Sequence, residues 1–248
     1  MDWGDFLLFV AVGFAAQLVD GAIGMAYGIS ATTVLLSIGV APATASACVH
    51  AAEVFTTAAS GASHWRLGNV DFALLRRLAL PGMLGGALGA YALANAPGDL
   101  IQPFVSFYLL LMGGYILWKA LAEVAVEREP PRHVAPLGFV GGFLDAIGGG
   151  GWGPLVVSTL IGTGTKPRYA IGSVNLTEFL VTVTTTATFV FTIGLELWPV
   201  ILGLIVGGVM AAPFAALAAK RLPDKPLMVL VAAVVILLSL RNLVRVLT

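Results

Sequence analysis

Long apolar runs dominate this sequence and limit the kinds of protein that it can be. Of the 248 residues, 58% are hydrophobic and only 10% are charged. Several runs reach the ~20 residues that a helix needs to cross a ~30 Å hydrocarbon core. A soluble domain cannot hide so much apolar surface. We therefore predict an all-α integral membrane protein that crosses the bilayer several times.

The charged residues and the cysteine content argue against several other functions. Basic and acidic residues are equal in number, 13 of each, so no excess positive charge is available for binding nucleic acid. Cys48 is the single cysteine, and His50, His64 and His133 are scattered along the chain, unlike a metal site. No Ser-His pair or nucleotide motif occurs at a useful spacing. The sequence therefore predicts no enzyme activity, no metal and no cofactor.

The chain repeats itself at an offset of 125 residues. Residues 13–57 align with residues 138–182 without a gap, and 12 of the 45 positions are identical. The matched pairs include Asp20 and Asp145, Gly24 and Gly149, Gly28 and Gly153, Pro42 and Pro167, and Glu53 and Glu178. We predict an N-terminal membrane repeat (1–124), a linker (125–134) and a C-terminal membrane repeat (135–248), which together form one membrane domain.

Each half contains two short apolar segments followed by three longer ones. In the first half we predict them at residues 5–19, 27–39, 43–64, 72–95 and 100–122. A short segment of about 14 residues covers roughly 20 Å at ~1.5 Å per residue, which is less than the hydrocarbon core. We expect each short pair to form a broken helical hairpin, either re-entrant or thinly spanning, before three transmembrane helices.

Basic residues lie at different connections in the two halves. In the first half they flank residues 66–77, whereas the equivalent residues 193–198 have none. In the second half they lie within residues 220–225, whereas residues 95–100 have none. Because Lys and Arg mark cytoplasmic connections, the two repeats are predicted to have inverted topology.

Two glycine-rich stretches interrupt the short helices at equivalent positions. The first is DGAIGMAYG at residues 20–28, and the second is FLDAIGGGGWGP at residues 143–154. Inverted repeats with broken helices are typical of secondary transporters, whose site lies near the membrane midplane. A helix that starts at such a break offers free N–H groups and a positive dipole end to an anion, and Pro154 fits its first turn. The candidate substrate-binding residues here are Gly24, Tyr27, Gly28, Gly149, Gly150, Gly151 and Trp152.

The glycines of the breaks and the two aromatic residues beside them also have structural interpretations. Glycines in membrane helices commonly serve close packing, although a repeated break beside an Asp favours a site. Tyr27 and Trp152 occupy the same repeat position, where they either pack or line the substrate path.

The third segment of each half, the first of its long ones, carries a polar stripe. His50 and Glu53 share one helix face, and Asn175 and Glu178 repeat the pattern. Ionisable side chains at this depth are costly, so they normally face a cavity or a partner. We assign Glu53 and Glu178 to ion coupling or gating, and His50 and Asn175 to substrate contact. For His50, a neutral hydrogen-bonded core side chain is an equal alternative.

Asp20 and Asp145 precede the two breaks and have two interpretations. A carboxylate at depth suits ion coupling or gating, because protonation relieves its desolvation cost. Equally, each carboxylate can cap the short helix that follows, by accepting hydrogen bonds from its first N–H groups.

These motifs resemble the sulfite exporter TauE/SafE-like family of bacterial membrane transporters. The resemblance rests on QLVDGAIGMAYG and APATASACVHAAEVFTTAAS, and on their repeats FLDAIGGGGWGP and KPRYAIGSVNLTEF. It implies movement of a small sulfur-containing anion, such as sulfite, thiosulfate, sulfoacetate or another organosulfonate, across the bacterial plasma membrane. We expect proton coupling, and the alternative is a passive anion channel of the same architecture.

Gly85, Gly86 and Gly89 lie on one apolar segment. Small residues at this spacing serve either contacts inside one chain or the face of a homodimer. We favour internal packing, and a homodimer stays open.

Overall fold

Helices form all the regular structure in the part of the chain that the structure describes. The computed structural model describes residues 5–23, 25–122, 134–221 and 224–247. In chain order the helices are α1 (Phe6–Ile23), α2 (Tyr27–Ser37), α3 (Pro42–Arg66), α4 (Phe72–Asn95), α5 (Gly98–Leu121), α6 (Ala135–Gly148), α7 (Ser158–Gly162), α8 (Pro167–Thr192), α9 (Trp198–Arg221) and α10 (Asp224–Leu247). One turn of π-helix (Gly153–Val157) leads directly into α7. The all-α prediction is confirmed for these residues.

The observed helix boundaries follow local sequence signals. α3 and α8 both begin at a proline, because the missing N–H of proline costs nothing in the first turn. Pro154 likewise lies in the first turn after its break, but the turn is π-helical rather than α-helical. α1 runs to Ile23, beyond the predicted end at residue 19. The predicted linker at 125–134 lies outside the described residues apart from Val134.

Four of the described helical segments are long and apolar enough to cross a membrane. They are Phe72–Asn95, Leu100–Leu121, Tyr169–Thr192 and Met228–Arg245. Shorter apolar helices include Phe6–Asp20, Tyr27–Ser37 and Ala135–Gly148, as expected for the broken hairpins. Large apolar side chains such as Phe191, which is 89% exposed, project outward from the bundle. Such exposure suits a surface that faces lipid.

The principal helix contacts join the two halves of the chain. α1 packs against α9, α4 against α6, α5 against α10, and α3 against α8. Each pair takes one helix from the first half and one from the second. A site at the centre of this bundle is therefore built from both halves.

Glycines allow α4 to approach α6 closely. A Cβ atom added to Gly85 would collide with the carbonyl of Phe139, and one added to Gly89 would lie 2.5 Å from the carbonyl oxygen of Phe143. Gly86 faces Val181 and Thr185 of α8. All three glycines thus serve packing inside the chain, as we favoured from the sequence.

Candidate functional site

The two breaks meet backbone to backbone at the centre of the bundle. A Cβ atom on Gly28 would lie only 2.7 Å from the Cα of Gly150. Gly150 has φ +149° and Gly151 has φ +143°, which are conformations that residues with a side chain rarely adopt. Thr32 of α2 donates a hydrogen bond to the carbonyl of Gly149 at 2.5 Å. Glycine is therefore required here both by the backbone conformation and by the contact itself. Gly24 lies outside the described residues.

Asp20 and Asp145 cap the helices that follow their own breaks. Asp20 Oδ1 accepts a hydrogen bond from the Tyr27 N–H at 3.3 Å. Asp145 Oδ1 accepts one from the Trp152 N–H at 2.9 Å. The donors and acceptors are equivalent across the 125-residue repeat. The capping interpretation is thus observed for both residues, and it leaves the second oxygen of each carboxylate for another role.

Asp145 uses its second oxygen to bind His50. The His50 Nε2 atom lies 3.1 Å from Asp145 Oδ2, and both side chains are buried. The Ser46 hydroxyl donates to the carbonyl of Ala146 at 2.6 Å, so His50 Nδ1 must donate to the Ser46 carbonyl, 2.8 Å away. A single proton therefore lies between Nε2 and Oδ2. The pair is electrically neutral, whether it is imidazole with carboxylic acid or imidazolium with carboxylate.

Asn175, the counterpart of His50, makes different contacts. Its Oδ1 accepts a hydrogen bond from Ser60 at 2.9 Å, and its Nδ2 donates to the carbonyl of Ile171 at 2.9 Å. Among the described contacts, the link between α3 and Asp145 has no matching link between α8 and Asp20. The two halves are therefore equivalent in their caps but different in their side-chain pairing.

One carboxylate oxygen of Glu53 lies beside Gly28, and the other, Oε2, is buried without a hydrogen-bond partner among the described residues. A Cβ atom added to Gly28 would lie 2.9 Å from Glu53 Oε1. A buried carboxylate oxygen without a partner carries a desolvation cost, which a bound proton or ligand would relieve.

All four predicted carboxylates surround one cavity between the breaks. Its empty space, measured out to its opening, is about 330 Å³. The passage is narrow, because its interior has room for about one water-sized sphere. The lining residues are Asp20, Met25, Ala26, Tyr27, Gly28, Ile29, Glu53, Thr56, Thr57, Asp145, Gly151, Gly153, Pro154 and Glu178.

Other predicted site residues lie beside this cavity rather than in its lining. They are His50, Gly149, Gly150, Trp152 and Asn175. Trp152 is fully buried, and its Nε1 donates to the carbonyl of Val174 at 3.3 Å. Trp152 is therefore a packing residue, whereas its counterpart Tyr27 both packs and lines the cavity.

Sequence reasoning missed Tyr108 and Lys119 of α5. The Tyr108 hydroxyl donates to the carbonyl of Gly150 at 3.1 Å and so supports the second break. Lys119 Nζ donates to Ser158 Oγ at 2.7 Å and lies 3.7 Å from the sulfur of Met25. The signal for Lys119 was its position inside an apolar run, but a lysine near the end of a helix is easily taken for a topology marker.

Comparison with known proteins agrees with this architecture. The family model for the sulfite exporter TauE/SafE matches residues 9–242. Over 248 aligned residues the chain is 42% identical to the "Probable membrane transporter protein YtnM" of Bacillus subtilis strain 168, with 96% of this chain and 82% of that protein covered. No solved structure matches the chain. The match of the family model to nearly the whole chain, together with this relative, shows that the chain belongs to the sulfite exporter TauE/SafE family.

Proposed function

We propose that this membrane transporter carries a small sulfur-containing anion across the bacterial plasma membrane together with a proton. The family name indicates sulfite, and we extend the substrate class to thiosulfate, sulfoacetate and other organosulfonates, as the sequence resemblance implies. The proposal depends on one observation above all. N–H groups at the two breaks, those of Tyr27 and Trp152, suit an anion but are already bound by Asp20 and Asp145.

Two repeats of inverted topology would bring the breaks together from opposite sides of the membrane. The packing supports this arrangement, because α1 against α9 has its equivalent in α6 against α4. The other principal pairs, α3 with α8 and α5 with α10, each join equivalent helices. A pseudo-twofold axis would relate all of these contacts, as in other inverted-repeat transporters.

Competition for the N–H groups supplies a coupling mechanism. Glu53 lies beside Gly28, and at the same break an ionised Asp20 carboxylate fills the position that a substrate oxygen would take on the N–H of Tyr27. A proton on that carboxylate removes its charge and weakens its hold on the N–H. The substrate anion then binds to the released N–H groups. Proton and anion thus enter the cavity together, and their charges offset one another.

The crowding of carboxylates favours this coupling. Asp20, Glu53, Asp145 and Glu178 all line a space of about one water molecule. Ionised together, these four groups would repel one another strongly, because a buried site screens charges poorly. An anion adds to that repulsion unless protons accompany it. A narrow cavity also supports a gated carrier more than an open channel.

Transport by the purified full-length protein in proteoliposomes tests this function. We expect saturable uptake of at least one anion among sulfite, thiosulfate and sulfoacetate, with sulfate and taurine as comparisons. An inward proton gradient should raise the uptake rate, and uptake should acidify the vesicle lumen. Saturable sulfur-anion flux that ignores the proton gradient would instead identify a passive channel. No flux or binding of any sulfur anion would overturn the substrate class.

Glu53→Gln tests the coupling directly. The amide keeps the shape of the side chain but cannot take up a proton, so we expect the proton gradient to lose its effect on uptake. Net uptake should fall, because the amide imitates the protonated carboxylate permanently and cannot release a proton to complete the transport cycle. Glu178→Gln should act in the same direction, since Glu178 lines the same cavity.

Glu196→Gln is the matched control, because Glu196 is exposed outside the bundle. It should transport like the unmodified protein. If Glu53→Gln and Glu178→Gln both keep the normal pH response, the carboxylates do not carry the coupling proton.

A further inference from the structure

Lys119 places an ammonium group at the edge of the carboxylate-lined cavity. It lies in the last turn of α5 and is partly buried. Its Nζ contacts the sulfur of Met25, which itself lines the cavity. Its hydrogen bond to Ser158 reaches the residue directly after the π turn that carries Gly153 and Pro154. The ammonium therefore contacts both hairpins, and one of these contacts is with a residue that lines the cavity.

A doubly charged ligand in this cavity would require a positive charge that the described lining residues do not supply. Among the described residues, the lining includes four carboxylates and no Lys, Arg or His. His50 is fully buried and bonded to Asp145, so its contacts are already used inside the protein. Neutral N–H groups can hold one negatively charged group, but a second charge on the same small ligand calls for a cation.

Lys119 is suited to reach such a ligand. Its side chain is a flexible four-carbon stem with three rotatable donors, so the ammonium can turn from Ser158 toward the cavity while its Cα stays in place. The equivalent position in the second half is Val244, which carries no charge. The cation therefore has no charged counterpart at the equivalent position of the second half.

We propose that Lys119 binds the second negative charge of the transported anion, so that the site prefers dianions to monoanions of the same size. The anion would lie with one charged group on the N–H groups of the breaks and the other on the Lys119 ammonium. This inference rests on the proposed function, and it narrows the substrate class to doubly charged sulfur anions. In the proposed topology, Lys119 would face the cytoplasmic mouth of the site.

The same contacts have a competing interpretation, in which Lys119 is a structural tie that holds α5 against the hairpins and does not bind substrate. Lys119 would then only fasten α5 to Ser158, and its loss would loosen the hairpins for every substrate alike. The two interpretations differ in their predicted response to substrate charge and to loss of Ser158.

Binding of a matched ligand pair to the purified full-length protein separates them. Sulfoacetate carries two charges, and sulfoacetamide has nearly the same size with one charge fewer. We expect the unmodified protein to bind sulfoacetate more tightly. Lys119→Met should weaken sulfoacetate binding by roughly tenfold or more, as expected for a lost charge-assisted contact, and should change sulfoacetamide binding by about threefold or less. Lys119→Arg should keep the preference for the dianion.

Ser158→Ala and Lys166→Met complete the design. Ser158→Ala removes one hydrogen-bond partner of the ammonium and should keep the dianion preference within about threefold. Lys166→Met removes an exposed lysine from the connection before α8 and should leave both affinities unchanged. If Lys119→Met does not fold, Lys119→Gln provides the same comparison and can still hydrogen-bond to Ser158.

The outcomes separate the two proposals. If the unmodified protein binds no sulfur anion, the proposed function fails. If it binds and transports them but Lys119→Met keeps the dianion preference, the Lys119 inference alone is wrong. Equal losses in Lys119→Met and Ser158→Ala for both ligands would show a structural tie and would also overturn it.

Discussion

His50 and Asp145 differ from the other polar contacts of the site, because a proton must lie between them. The hydroxyl of Ser46 donates to Ala146, which makes His50 Nδ1 a donor to the Ser46 carbonyl and leaves Nε2 to share a proton with Asp145. The pair joins α3 of the first half to α6 of the second. It therefore stores a proton beside the cavity while it holds two helices together.

Asp145→Asn and His50→Leu separate these two roles. The Asn amide can donate to His50 Nε2 while its oxygen still accepts from Trp152, so we expect the free energy of unfolding to stay within about 1 kcal/mol. His50→Leu leaves Asp145 Oδ2 buried without its donor, so we expect a loss of about 3 kcal/mol or more. Thermal unfolding in detergent compares the two variants. An equal loss in both would contradict a neutral pair that shares one proton.

The two hairpins act as one element, because their breaks touch through backbone atoms. Gly28 has an ordinary backbone conformation, so its lack of a side chain is explained by its close contacts, the shortest of which is with Gly150. This distinguishes it from Gly150, where the backbone conformation also favours glycine. A side chain at Gly28 would push the hairpins apart and away from Glu53.

Gly28→Ala tests the backbone contact between the two hairpins. The added methyl group would lie 2.9 Å from both Glu53 Oε1 and the carbonyl oxygen of Gly149. We expect a loss of about 1–3 kcal/mol in unfolding free energy, as for other overpacked sites, and strongly reduced transport. Gly162→Ala is the control, since nothing lies within 4 Å of its added Cβ. Equal stability of both variants would show that the hairpins do not pack as described.

In the whole molecule, the proposed inverted topology places equivalent positions on opposite sides of the membrane. Leu67 and Thr192 are separated by the repeat offset of 125, and both are exposed at the ends of their helices. Cys48, the single native cysteine, is only 1% exposed. The chain therefore offers a clean background for labelling single introduced cysteines.

Leu67→Cys and Thr192→Cys, each in a Cys48→Ala background, test the topology in cells. A membrane-impermeant thiol reagent added outside should label Thr192→Cys in intact cells and Leu67→Cys only after the membrane is opened, because basic residues place the region of Leu67 in the cytoplasm. Labelling of both positions from the same side would exclude inverted repeats. The Cys48→Ala protein alone should stay unlabelled.

Local signals in the sequence determined the helices and the composition of the site. Pro42 and Pro167 start helices because their rings fit a first turn. The length of the apolar run at residues 72–95 correctly predicted both ends of α4. The repeat identified all four cavity carboxylates, because ionisable residues at equivalent depths in two halves are rarely accidental.

Only the tertiary structure decided how those residues are paired. His50 and Asp145 are 95 residues apart, and Lys119 and Ser158 are 39 apart, so no local pattern connects them. Repeat symmetry even misleads here, because it predicts equal roles for His50 and Asn175, whereas these residues bind different partners. Helix formation depends on neighbours along the chain, but the partners of a buried polar group depend on which helices pack together.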